Sequence, residues 1–394
     1  MFITNLVARS VRADLTVMAD ANTSVRRQLD IPPLARVPVR VADVAAVPSP
    51  GVVVESIGGP VVVEHELHNG ANVATGPCAR QAAGSWYLAA GTTVKGAQQW
   101  LSLFDPFADD AIVDVTFLTD AGPQAPQALQ GLVVPRRTKI DVSVHDNVPR
   151  QGIVAAQVHA RIGRVVAEQV MLFDGSNGQT GMSLALGAPS LALDWYAPAG
   201  IVVGGTDRMI VANPGDNAAT VTVDVVLDGE AKLTPQPVAV PDHSVVSVDL
   251  MSRVPANLDF WVHLHSDQPV FAAQSVATAN ASATVPAGPF LSREWAFASA
   301  RSSVPGTDVL VAANPTSHPV LLRVDAIVSG GTSPVVDDPA VSIPPGARAL
   351  VDLTARNVPG AAGLLVTAGA PISVERVDSA PQTMSATLGI PSAS

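Results

Sequence analysis

The sequence is short of charge, of aromatics and of cysteine. Charged residues make up 14% of its 394 positions and aromatics 4%, against 47% hydrophobic residues. A chain this apolar can fill several cores and does not behave as a disordered polymer. Its one cysteine, Cys78, has no disulfide partner within the chain. No apolar run approaches the roughly 20 residues of a membrane helix. Residues 1–17 lack the basic-then-apolar order of a signal peptide. The net charge is −11, and the densest basic group, Arg136, Arg137 and Lys139, reads as a solvated turn. Nucleic-acid binding needs a basic patch, so it is not expected.

What the sequence has in quantity is turn chemistry. Its 33 prolines and 30 glycines are scattered between short apolar runs, which favours many strands over helices or linkers. Self-comparison then exposes a repeat. Trp86-Tyr87, Trp195-Tyr196 and Trp295-Ala296-Phe297 each open an apolar stretch. The stretch ends in a polar residue and proline: Asp105-Pro106, Asn213-Pro214 and Asn314-Pro315. Each proline follows its tryptophan by 19 or 20 residues. Beyond it come Val113, Val115 and Phe117, then Val221, Val223 and Val225, then Leu322, Val324 and Ala326, each set alternating with polar residues. Alternation of this kind marks a half-buried antiparallel strand.

A proline-bracketed strand follows in each unit, between Pro135 and Pro149, Pro241 and Pro255, and Pro345 and Pro359. Residues 153–162 and 164–171 then read as a hairpin turning at Gly163, with counterparts at Ser266-Asp267-Gln268 and Ala368-Gly369-Ala370. The first 80 residues fit the same template from its middle: Asn5-Leu6 takes the polar-proline place, and Ala13, Leu15 and Val17 take the core-facing places. The prediction is an all-β chain of tandem Ig-like antiparallel sandwiches of about 100 residues each. The units span 1–80, 81–191, 192–291 and 292–394, the first cut short and lacking its opening aromatic strand. Joints this short predict touching neighbours in a stiff rod, at roughly 30–40 Å per unit.

Several residues could carry function. Adjacent aromatics on a strand point to opposite faces, so Trp86, Tyr87, Trp195 and Tyr196 could form repeated sugar-stacking platforms. The alternative is that one ring fills the core while the other seals a joint. His263, His265 and Asp267 have strand spacing for a metal site. Their counterparts in other units are apolar or small, so a core histidine pair is the preferred reading. The run Glu64-His65-Glu66-Leu67-His68 is a second metal candidate, but a solvated strand end would look alike, and that is the preferred reading. Glu64, Glu168 and Glu375 occupy equivalent places, where the third unit has Ala273. Each could hold a sugar hydroxyl or calcium, but the preferred role is pairing with an arginine or backbone N–H of its own sandwich.

An enzyme finds poor materials here. Gly175-Ser176-Asn177-Gly178 lacks nucleophile-elbow spacing, and the acid pairs Asp109-Asp110 and Asp337-Asp338 fall in turn-like stretches. No catalytic residue, metal or cofactor is expected.

The segments Trp86-Tyr87-Leu88-Ala89-Ala90-Gly91-Thr92-Thr93, Leu101-Ser102-Leu103-Phe104-Asp105-Pro106, Leu129-Gln130-Gly131-Leu132 and Gly163-Arg164-Val165-Val166-Ala167-Glu168 resemble an actinobacterial domain-of-unknown-function family, number 5719. Its members are mostly secreted or membrane-tethered, some encoded near envelope glycosyltransferases. The resemblance implies an extracytoplasmic place at the cell envelope and no activity. The expected function is a non-catalytic structural or adhesion-type module, a spacer or docking scaffold whose partner is an envelope polysaccharide or protein. The alternative is a glycan-binding auxiliary to an envelope glycosyltransferase, and an enzyme is disfavoured.

Overall fold

The computed structural model describes residues 1–176, 178–200, 205–228, 233–255, 258–278, 281–301, 306–336, 340–380 and 383–392. Asn177, Asp337 and Asp338 of the sequence reading lie outside them. The described residues form strands almost throughout, with one short helix, Val144–Asn147, and two 3-10 turns. The strands group into units of two packed antiparallel sheets.

The second unit shows the pattern. One sheet holds Gly122–Gln124 and Leu132–Val134 against Ala111–Thr119, then Val154–Ile162, then Ser85–Gly91. The other runs Thr138–Ser143, Ala97–Asp105, Val166–Asp174, Thr180–Leu186. The alternating triplets face inward as their period requires: Val113, Val115 and Phe117 are fully buried, as are Val221, Val223 and Val225. In the first unit Ala13, Leu15 and Val17 do the same. There the sheet of Ser24–Ile31, Val11–Met18 and Gly51–Ile57 has three strands. No described strand occupies the place that Ser85–Gly91, Ala192–Gly200 and Ser292–Phe297 fill in the others.

Two expectations need correction. Val154–Ile162 and Val166–Asp174 are not arms of one hairpin, because they belong to opposite sheets. In the third and fourth units the same stretch is a single long strand, Phe260–Ala277 or Gly363–Ala380, that crosses from one sheet to the other. Ser266-Asp267-Gln268 and Ala368-Gly369-Ala370 mark that crossing, a corner of the sandwich where strands switch sheets. The true hairpin comes next, as between Val166–Asp174 and Thr180–Leu186.

The second correction concerns the rod. The four units close into a ring. The last strand of each, Asn72–Pro77, Thr180–Leu186, Ser282–Pro286 and Thr383–Leu388, lies at the centre against its counterparts, and the first unit packs on the fourth. Short joints fix contact between neighbours but not the rotation from one to the next, and it is this rotation that brings the chain back on itself. At the axis, Ser385 Oγ accepts from Thr75 N at 3.1 Å and donates to Thr75 O at 3.0 Å. Gly76 approaches so closely that a Cβ there would lie 2.8 Å from Leu184 Cδ2.

The recurring carboxylates belong to these joints and not to their own sandwiches. Glu64 of the first unit accepts from Ala298 N at 2.9 Å and pairs with Arg376 at 3.2 Å, both in the fourth unit and all buried. Glu168 of the second unit meets His65 of the first. Glu375 is fully buried at the joint to the third unit, where burial pushes its carboxyl well up. Across the third-to-fourth joint, Arg348 holds Asp228 through two bonds, at 2.8 and 3.0 Å.

Each unit also carries a corner latch. Asn5, Asn213 and Asn314 are buried, and each Nδ2 donates to three backbone carbonyls while Oδ1 accepts a backbone N–H two residues on. The second unit has Asp105 instead. Its Oδ1 accepts from Phe107 N at 2.8 Å, but its Oδ2 is buried without a partner, and burial raises its carboxyl above the ordinary range. A carboxylate cannot donate to carbonyls as an amide does. Asp105→Asn should therefore stabilise the chain by about 1–3 kcal/mol in denaturant titration. The raised carboxyl weakens the wild type as pH climbs through its folded-state pKa. The gain should therefore be larger at alkaline than at acidic pH; an equal or negative effect would refute the assignment.

Candidate axial site

One end of the ring axis opens into a cavity of about 740 Å³ lined by residues of all four units. Its walls are the ends of the central strands and the segments that follow them, including Cys78, Leu186, Pro289, Leu388 and Ile390. Most of this lining is apolar, with Arg80, Gln81 and Ser292 as polar members. A preformed apolar concavity with a few polar groups is the ordinary form of a ligand or docking site.

Three of the aromatics singled out from sequence, Trp86, Tyr87 and Trp195, contribute to this lining. Their faces are not open platforms. Trp86 and Trp195 are 3% and 1% exposed, and their indole N–H groups donate to Val165 O and Val270 O. Trp295 makes the same bond to Ile372 O, so this is the repeat's core anchor. Tyr87 seals the joint to the third unit, 5.2 Å from the Phe271 ring. Tyr196 lies elsewhere, stacked on the His263 imidazole at 4.7 Å. The exposed aromatic at the rim is Phe290, 44% exposed and stacked on Trp295 at 5.7 Å. Sequence reasoning missed it because no other unit has an aromatic there.

The metal candidates are taken up in contacts within the protein. His263 and His265 both meet Asp194 Oδ1 at 2.9 Å, and Asp267 accepts from Thr220 N. In the acidic run, His68 pairs with Glu66. Among the described residues no group of His, Cys, Asp and Glu is arranged to hold a metal ion. Of the basic turn, Arg137 lines a second groove of about 700 Å³ between the first two units, with Arg26 and Arg164. Asp14 engages Arg26 at 2.6 Å, and Arg164 lies over the Phe107 ring.

One cluster joins residues the sequence kept apart. Cys78, just after the first unit's central strand, lies 3.6 Å from His65 Nδ1, whose Nε2 lies 3.5 Å from Glu168 Oε2 of the second unit. Burial opposes charge on His65, but Glu168 and the thiol beside it prevail and hold the imidazole well above its usual range. The signals were the lone cysteine and the repeated glutamate; their meeting depends on how two units rotate.

The family model for the family of unknown function DUF5719 matches residues 61–180 and 187–378. The chain belongs to this DUF5719 family. No curated protein matches it. No described helix is long and apolar enough to cross a membrane, which leaves strand-built spans untouched. The match takes in His65, Cys78, Glu168 and most of the cavity wall, so the axial site lies largely within the DUF5719 region.

If Phe290 is only a rim residue, Phe290→Ser should leave the melting temperature within a few degrees of wild type, as surface changes do. Trp195→Ala should cost about 3–5 kcal/mol as a core anchor. Thermal melts of the two variants check both, and similar losses would contradict the separation of rim from core.

Proposed function

We propose that this chain is a non-catalytic scaffold of the cell envelope, acting as a closed docking ring and not as an extended spacer. The observation that supports this is the axial cavity: a shared apolar concavity whose shape depends on ring closure. Four separate joints hold its walls, so a partner docking there meets a surface with little ordering left to pay for. The family resemblance supports the extracytoplasmic setting, and the partner we favour is an envelope protein with an apolar projection.

A glycan-binding role is the second reading, and Phe290 is the observation that favours it. An exposed aromatic face beside Arg80, Gln81 and Ser292 suits a sugar ring, with its C–H face stacked and its hydroxyls bonded.

Cosedimentation with a purified envelope fraction tests both. Wild type should be retained, and Phe290→Ser should weaken retention on the order of tenfold, the weight of one aromatic anchor. Protease treatment of the envelope should abolish retention under the protein reading. Loss on periodate oxidation of sugars, with protease without effect, would replace it by the glycan reading. No retention on any preparation contradicts both.

A further inference from the structure

The row Cys78–His65–Glu168 occurs once in the ring, and the repeat shows what is unusual about it. Cys78 N bonds to Val63 O as Gly187 N bonds to Ala167 O and Gly389 N to Val374 O, so the three positions are equivalent. A side-chain carbon at Gly187 would sit 3.1 Å from the Trp86 ring, and one at Gly389 would sit 2.9 Å from the Trp295 ring. In the first unit no described indole stands there, and a thiol takes the space on the cavity wall. At the place of His65 the other units carry Gln169, Gln274 and Arg376, none of which can serve as a base near neutral pH.

A thiol beside an imidazole that a carboxylate orients is the arrangement of an activated nucleophile. Glu168 favours the imidazolium, and an imidazolium favours the thiolate next to it. The other charges near the pair are few. The Met1 α-amino group feels both Glu66 and Cys78, Arg80 lines the cavity near the thiol, and Glu64 and Glu66 occupy the opposite face of the histidine's strand with Arg36 and Arg376 near them.

We propose that Cys78, paired with His65 and oriented through it by Glu168, is a nucleophilic thiol that captures an acyl group carried on an apolar chain in the axial cavity. The thiolate sulfur attacks the carbonyl carbon of an ester or thioester, and a sulfur–carbon bond forms. The bond from that carbon to the leaving oxygen or sulfur breaks with its electron pair, and the leaving group takes the proton from His65. The product is S-acyl Cys78 beside a neutral imidazole; no oxidant or reductant is involved. Leu88, Leu184, Leu186, Leu388 and Ile390 supply apolar lining for the chain. The capture is stoichiometric, so it extends the docking reading, on whose cavity it rests, without making the ring a turnover enzyme.

The test uses the intact chain with p-nitrophenyl octanoate and p-nitrophenyl acetate, reading p-nitrophenolate release and the mass of the Cys78 peptide. Wild type should release one equivalent, with the acyl group on Cys78. Relative to N-acetylcysteine, the octanoate should react at least about tenfold faster than the acetate, as apolar binding over several methylenes allows. The rate should fall less steeply toward pH 6 than that of N-acetylcysteine, because the imidazolium that Glu168 favours beside the sulfur stays charged there. Cys78→Ala should release no burst. Glu168→Gln should lower the rate near pH 6 about tenfold and restore the free-thiol slope. The readout uses no envelope fraction, so a failure here and a failure of envelope retention are read separately. Wild-type Cys78 reacting with the slope and rate of N-acetylcysteine, a measurement needing no variant, overturns the proposal. So does an octanoate rate no better than the acetate's.

Discussion

Four strands with both faces buried meet along the ring axis, and this meeting constrains everything around it. Buried backbone at such a place must find all its hydrogen bonds inside the protein. Only small side chains let four strands approach. The chain answers with Ala74 and Gly76, Ser183, Ala283, and Ser385 with Ala386. Serine and threonine hydroxyls then tie one unit to the next, as Thr387 and Ser385 do to Thr75. Further out, the buried Glu64–Arg376 pair closes the fourth unit on the first. A buried pair contributes little net stability against an apolar substitute, but losing one member is costly. Its value here is geometric, because the carboxylate also accepts Ala298 N and so sets the register of the closing joint.

Much of the sandwich was legible in the sequence because its signals are local. Period-two alternation around Val113, Val221 and Leu322 marks strands whatever lies beside them. The polar-proline pairs at Asp105, Asn213 and Asn314 mark the latch corner. The ring was not legible. A rod and a ring share the same neighbour contacts, and only the rotation per unit separates them, which no residue pattern encodes by itself. The nearest hint lies in two like segments, Met182-Ser183-Leu184-Ala185-Leu186-Gly187 and Met384-Ser385-Ala386-Thr387-Leu388-Gly389, whose small residues make sense as axial packing. The crossing strands were misread for a related reason: a corner and a hairpin turn favour the same residues, such as Gly163 and Gly369.

The site tells the same story at smaller scale. Trp86 and Trp195 stood out because they recur, and recurrence marks what every sandwich needs, a core anchor bonded to a strand carbonyl. What differs between units is where a ring of similar parts becomes asymmetric: Phe290 at the rim, and Cys78 where other units place glycine or alanine beside an indole. His65 and Glu168 lie about a hundred residues apart in the chain, and only the first joint brings them together.

Ring closure is the claim on which the axial cavity and the Glu64–Arg376 joint rest, and small-angle X-ray scattering measures it directly. A closed, compact chain of this length has a radius of gyration of roughly 21 Å. Four sandwiches end to end, at about 30–40 Å each, would give roughly 35–45 Å. The account predicts a value close to the first, with a distance distribution showing a single compact maximum. A value near the second, with a long tail, would contradict it.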